Sequence, residues 1–308
     1  MSSRGLDLLI VTDPCNIYYL CGYDGWSFYT PQVLLVPMDG APVWVGRRMD
    51  VRGVGLTSCL SADDIVGYPE HLIQNEVEPP YGFIARTIAE RYGKPGRIGI
   101  EKHSYYFSVA SFEVLAATLA EGTLLDASYL VNWIRFTKSP QEVAVMRQAA
   151  RLLEAAMEAA IAAIRPGVRE CDVVASICAA QIGGVPEVGG VYCSTPALVM
   201  SGARADTPHL PWTDQALAEN TTVNLELMGN RLRYQVPMGR TVVVGRASAT
   251  MLRLEAVALE LIDRLLRFIE PGMTCAQVSD ETQRILRLHG IAKESRSGYS
   301  IGIAFPPT

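Results

Sequence analysis

A repeat constrains this chain most. Ile164-Arg165-Pro166-Gly167, followed by Val173, returns as Ile269-Glu270-Pro271-Gly272, followed by Val278. Residue 164 maps to 269 and 173 to 278, so each matched position is displaced by 105 residues. In both copies a long helical pattern precedes the Pro-Gly and a shorter amphipathic one follows it. Proline halts the first helix and glycine supplies the turn. The reading is a duplicated α/β unit with internal pseudo-twofold symmetry, whose two halves bring their sheets together around one cleft, the default place for a ligand. The first copy runs on into strand patterns at 192–200 and 222–227. The second stops at Pro306-Pro307-Thr308, so the strands that complete it are expected to lie outside this sequence.

Ahead of the duplication lies a differently organised stretch. Strand patterns occupy 6–12, 32–37 and 41–45, the last two separated by the turn signal Asp39-Gly40. An apolar-aromatic run fills 16–20 and stops at Gly22. A helical pattern covers 81–92, a strand 97–101 and another helix 107–119. Alternation on this scale predicts a small α/β domain. Ser139-Pro140-Gln141-Glu142 then reads as a capping box opening a long Ala-rich helix. The boundary is therefore placed between an N-terminal domain, 1–136, and a larger second domain, 137–308.

Composition excludes several classes. Hydrophobic residues at 49% and charged residues at 19% suit two packed cores in 308 residues rather than a disordered chain. A net charge of -5, with Lys and Arg dispersed, argues against nucleic-acid or membrane-surface partners. No uninterrupted apolar run approaches the roughly 20 residues of a membrane span, and Met1 to Gly5 carries no basic region or cleavage site of a signal peptide. The seven cysteines form no C-x-x-C pair, and Cys171 and Cys178 fall on one helix face. Free thiols in a reducing cytoplasm are expected.

The motifs carry a resemblance. Asp7-Leu8-Leu9-Ile10-Val11-Thr12-Asp13-Pro14, then Asn16-Ile17-Tyr18-Tyr19-Leu20 and Gly22-Tyr23, resembles the N-terminal domain of creatinase and prolidase. Ser201-Gly202 through Pro208-His209, then Val223 to Glu226 and Gly239-Arg240-Thr241, resembles the pita-bread catalytic domain of those enzymes and of methionine aminopeptidase. Within that family, Gly22-Tyr23-Asp24-Gly25-Trp26-Ser27-Phe28-Tyr29 and the ending Gly298-Tyr299-Ser300-Ile301-Gly302 through Phe305-Pro306-Pro307 are similar to the ectoine-hydrolase subgroup. The resemblance implies a creatinase-like α/β domain followed by a pita-bread domain.

The departures from the family bear on chemistry. Its metallopeptidases hold two metals with carboxylates eleven residues apart on paired strands, a histidine in a Gly-His-Gly context, and two further carboxylates. Here the first position is Glu226 and the second falls on Pro237, which has no donor atom. Gly298-Tyr299-Ser300 replaces the histidine context, and the remaining two positions would lie beyond Thr308. Divalent sites need several carboxylates or imidazoles together, so no metal and no other cofactor is expected.

The resemblance then implies a hydrolase that opens the cyclic amidine ring of ectoine, or hydroxyectoine, to an N-acetylated 2,4-diaminobutyrate. A creatinase-like or Xaa-Pro dipeptidase-like hydrolase and a non-catalytic binding protein stand as alternatives. Ectoine is cationic at neutral pH, and its electrophilic carbon lies between the two ring nitrogens. Glu226 is the candidate nucleophile or base. His209 matches the family's cleft histidine and suits proton transfer to a departing nitrogen. Tyr299 is a candidate donor to substrate or Glu226. Tyr234 and Arg240 flank the vacated position, and Arg240 or Arg204 is the candidate partner for the substrate carboxylate. By resemblance to creatinase-like homodimers, Tyr23, Trp26 and Phe28 are expected to wall the cleft of a partner subunit through cation–π contact.

Overall fold

In the computed structural model the described residues are 1–306, so Pro307 of the ending quoted above lies outside them. The chain divides into two compact units, Met1–Lys138 and Ser139–Thr308.

The first unit is a mixed sheet clothed by helices on both faces. Its elements are β1 (Leu8–Val11), α1 (Pro14–Cys21), β2 (Val33–Pro37), β3 (Val43–Arg47), α2 (Val51–Thr57), β4 (Ile65–Tyr68), α3 (Pro80–Tyr92), β5 (Arg97–Ile100), α4 (Val109–Thr118), β6 (Thr123–Asp126) and α5 (Leu130–Phe136). The order across the sheet is β4-β3-β2-β1-β5-β6. β1 is antiparallel to β2 and parallel to β5. Every residue of β1 is buried because alternate side chains serve two cores. Leu8 and Ile10 join Ile84 and Ile88 of α3, whereas Leu9 and Val11 join Ile17 of α1 and Val131 of α5.

The apolar run at 16–20 is helical. The Asp13 side chain accepts from the Cys15 N–H at 2.8 Å, Pro14 takes the first position of α1, and Gly22 closes the helix at φ 81°.

Glu101, at the end of β5, is buried at 4% exposure. It accepts from the Thr12 and Asp13 N–H groups at 2.7 and 2.9 Å and from Asn16 Nδ2 at 2.6 Å, tying β5 to the start of α1. Burial, aided by nearby Asp13, pushes its carboxyl up to about 7 despite these bonds. Between the ordinary carboxylate value and about 7 the unfolded chain has released a proton that the folded chain retains. Stability is therefore greatest below this window and falls as pH rises through it, by on the order of 3 kcal/mol. Thermal unfolding of wild type and Glu101→Gln at pH 5 and pH 8 checks this. The variant should lose much of the pH dependence, and an equal dependence in both proteins would refute it.

The second unit begins with α6 (Pro140–Ala163), whose capping box forms: the Ser139 N–H donates to Glu142 Oε2 at 2.7 Å and the Glu142 N–H to Ser139 Oγ at 3.3 Å. There follow α7 (Glu170–Gly183), β7 (Leu198–Ser201), β8 (Thr221–Arg231), β9 (Tyr234–Val244), α8 (Ala249–Phe268) and α9 (Cys275–Leu288). The antiparallel sheet runs β7-β8-β9. The two helix pairs of the repeat, α6 with α7 and α8 with α9, are each joined through a glycine in the left-handed region, Gly167 at φ 82° and Gly272 at φ 95°. Val223, Leu225 and Leu227 of β8 pack on Leu153, Met157 and Ala160 of α6 and on Val173 and Ile177 of α7. The odd-numbered face of β8 is thus core, and the even-numbered face is left for a site.

None of the seven cysteines, all of them among the described residues, is in a disulfide. Among the described residues, no helix is long and apolar enough to cross a membrane.

Candidate active site

A cleft of about 1170 Å³ opens over the even-numbered face of β8. Residues directly paired across an antiparallel ladder share a face. Asn224 pairs with Thr241, Glu226 with Gly239 and Met228 with Pro237, and Asn224, Glu226, Pro237, Gly239 and Thr241 all line the cleft. Glu226 is half-buried at the middle of the central strand. Gly239 opposite it has no side chain, and a Cβ built there would meet nothing closer than 3.8 Å. The floor beside the Glu226 carboxylate is therefore open to a ligand.

One wall is α8, which offers Met251, Leu254, Ala258, Leu259 and Ile262 together with Glu255. The other is the loop 202–212, which offers Asp206, Thr207 and Pro208. Asn224 donates through Nδ2 to the Ala205 carbonyl and accepts the Thr241 hydroxyl at 2.7 Å, fastening this loop to the sheet floor. Asp206 and Glu255 add negative charge to the walls, and neither was anticipated from the sequence. Only the fold shows that 206 and 255 face the same space as 226.

The other expected residues fare differently. Tyr299 lines the cleft at 57% exposure, with the Arg296 guanidinium 5.0 Å above its ring. His209 follows the wall residue Pro208 but sits in an exposed turn at φ 66°. It stands next to the wall and outside the residues that line the cleft.

Tyr234 needs correction as a cleft residue, whereas Arg240 lines the cleft from a position beside the floor. They pair with Arg231 and Leu225, so the pleat sends both to the opposite face from Glu226. The Tyr234 hydroxyl donates to Glu142 Oε1 at 2.9 Å, bracing the start of α6. Arg240 is exposed at the edge of the cleft, its guanidinium turned back to the Gly239 carbonyl at 2.8 Å. Its rival Arg204 donates within its own loop, to the Pro211 carbonyl.

In the first unit, Tyr23 is core rather than wall. It packs edge-on against Trp44 with ring centroids 5.4 Å apart, and burial pushes its phenol up to about 12. Phe28 is also buried, against Tyr106. Trp26, 56% exposed, keeps a face toward solvent.

Comparison with solved structures places this architecture among the prolidases. The prolidase of Thermococcus sibiricus superposes with a TM-score of 0.84 at 20% identity, over 98% of this chain and 78% of that one. A Xaa-Pro dipeptidase of Bacillus anthracis gives 0.81 at 20% identity, over 99% and 80%. At that identity the likeness shows the fold, a creatinase-type domain followed by a pita-bread domain. Residues 1–137 match the Creatinase/Prolidase N-terminal domain and residues 144–308 match metallopeptidase family M24. The chain belongs to family M24 and is a hydrolase. An ectoine hydrolase of Halomonas elongata is 37% identical over all of this chain and 79% of its own length. An uncharacterized hydrolase/peptidase of Sinorhizobium fredii is 39% identical with the same coverage.

The family name implies a metal, and the donor set does not fit one. Glu226 keeps a carboxylate, but Pro237 offers nothing and Tyr299 only a phenol. Among the described residues, no three His, Cys, Asp or Glu side chains converge as a metal site would require. Asp206, Glu226 and Glu255 are spread around the cleft rather than gathered at one point.

Proposed function

We propose that this protein opens the ring of ectoine, or hydroxyectoine, by metal-independent hydrolysis of a C–N bond, releasing N-acetyl-2,4-diaminobutyrate. The observation that carries the reading is Glu226 on an open floor where the second ligand position, on the neighbouring strand, is proline. A ligand seated over Glu226 takes that carboxylate out of water, and it then needs a positive partner, which a ring amidinium supplies. Spread carboxylates suit a delocalised organic cation better than a point ion. The 37% identity to an ectoine hydrolase supports the same substrate.

In the reaction, oxygen adds to the carbon between the two ring nitrogens, one C–N bond breaks and the departing nitrogen takes a proton. Glu226 either activates the attacking water or attacks first itself, water then releasing the product. Tyr299, which lines the cleft, supplies a hydrogen bond to the substrate in this reading. The dipeptidase alternative needs a metal to polarise a peptide carbonyl, and two of the family's ligand positions are here Pro237 and Tyr299.

NMR assays with ectoine, creatine and a Xaa-Pro dipeptide test the substrate. Ectoine should be consumed, with the acetyl methyl signal of an open-chain amide appearing. Extensive dialysis against EDTA should leave that activity unchanged. Cleavage of the dipeptide, or chelator loss restored by Mn or Zn, would overturn the proposal.

A further inference from the structure

We infer that Glu170 is a positioning residue for the cleft: one buried carboxylate bolts together both ends of the loop 202–212 that forms a wall. Glu170 opens α7 and is 1% exposed. Its Oε1 accepts from the Ser201 N–H at 3.0 Å and the Ser201 hydroxyl at 2.6 Å. Its Oε2 accepts from the Thr213 N–H at 2.7 Å and the Thr213 hydroxyl at 2.8 Å. Ser201 ends β7 immediately before the loop, and Thr213 follows it. The downstream end is held again where the Cys171 and Glu170 N–H groups, in the first turn of α7, donate to the Thr213 and Gln215 carbonyls at 3.0 Å each.

Four donors converge on two oxygens, a demand that only a carboxylate meets. An amide would turn its NH2 toward one of the two pairs; the hydroxyl there could rotate to accept, but the backbone N–H would lose its acceptor and that end would be weakened. Burial by itself would raise this carboxyl, but the bonds from Ser201 and Thr213 hold it below the usual carboxylate range. The latch is thus charged at neutral pH. Ties within the span are single hydrogen bonds: Asn224 holds Ala205, and Arg204 holds Pro211. With the ends released, Asp206, Thr207 and Pro208 keep the tie at Ala205 but lose the anchors on either side that set their distance from Glu226. Glu170 itself touches nothing in the cleft, so its effect reaches the substrate through the wall.

This inference rests on the proposed function for its kinetic readout and not for its structural one. In the full chain, Glu170→Gln should raise hydrogen exchange across 202–213 while β8 stays protected. It should also raise KM for ectoine about 30-fold, within the roughly 100-fold that a displacement on the order of 1 Å can cost. A drop in active-enzyme concentration with KM unchanged is the mark of mere instability and would overturn the inference, as would unchanged exchange in the loop. Should Glu170→Gln fail to fold, Ser201→Ala combined with Thr213→Val removes only the two hydroxyl donors, and the same two readouts decide. If wild type does not turn over ectoine, the functional reading fails, and loop exchange still decides the latch.

Discussion

Glu226→Gln is expected to slow ectoine ring opening about 1000-fold or more, at the upper end of what positioned proton transfer contributes. The substitution keeps the shape and hydrogen-bonding reach of the side chain. It removes the negative charge, and with it the basicity and most of the nucleophilicity. Substrate affinity should weaken too, because the amidinium loses its counter-ion on the floor. Gly239 opposite, and Pro237 two residues before it, leave little beside Glu226 to compensate. Rapid denaturation of a reacting wild-type sample separates the two chemical versions. A nucleophile leaves substrate mass on the peptide containing Glu226, whereas a base leaves none. Turnover by Glu226→Gln near the wild-type rate would refute both.

A methyl group at Gly229 should damage the second unit more than any change in the cleft. Gly229 lies on β8 at the closest approach of α6. A Cβ there would sit 2.0 Å from the Ala149 carbonyl oxygen and 2.7 Å from the Leu153 nitrogen. Both are backbone atoms of a helix that packs on β8 and β9, so no side-chain rotation relieves the overlap. Gly229→Ala should cost about 3 kcal/mol or more, at or above the upper end of overpacking penalties. For a unit of this size that is a fall in Tm of roughly 10 °C. Gly183, at the end of α7, provides the control, since a Cβ there meets nothing within 4 Å. Gly183→Ala should be neutral or slightly stabilising. Equal Tm values for the two variants would show that α6 yields more readily than its packing implies.

The fold was legible where pattern and chemistry agreed. The Pro-Gly repeat marked both helix pairs, and Ser139 with Glu142 marked the start of α6. β4 and β6 escaped notice because they are the two edges of their sheet. Each is four residues long and mostly half-exposed or exposed, so neither shows an apolar run. The run at 16–20 is too short for periodicity to separate helix from strand. The signals that decide it, Asp13-Pro14 and Gly22, stand just outside it.

Within the site, the eleven-residue spacing from Glu226 located Pro237, but nearness in sequence misled at Tyr234. Strand parity takes Tyr234 off the floor once Glu226 is put on it, and parity could have been applied from the sequence. Where the turn carrying His209 points is something no motif encodes. Glu170 gave no local sign, since its partners lie 31 and 43 residues away.

The strict alternation of β9 has an evolutionary corollary. Pro237, Gly239 and Thr241 pair onto the Glu226 face of the ladder, while Met238 and Arg240 alternate with them on the other face. Deleting one residue near the β8–β9 turn would shift β9 by a single step and exchange these two sets, bringing Arg240 opposite Glu226 in place of Gly239. Arg240 would then neutralise the charge on which a ring amidinium depends and favour an anionic ligand. A lineage built on this sheet can thus change the sign of its preferred ligand by a deletion at the hairpin turn, Leu232-Arg233, without substituting any residue of the two strands.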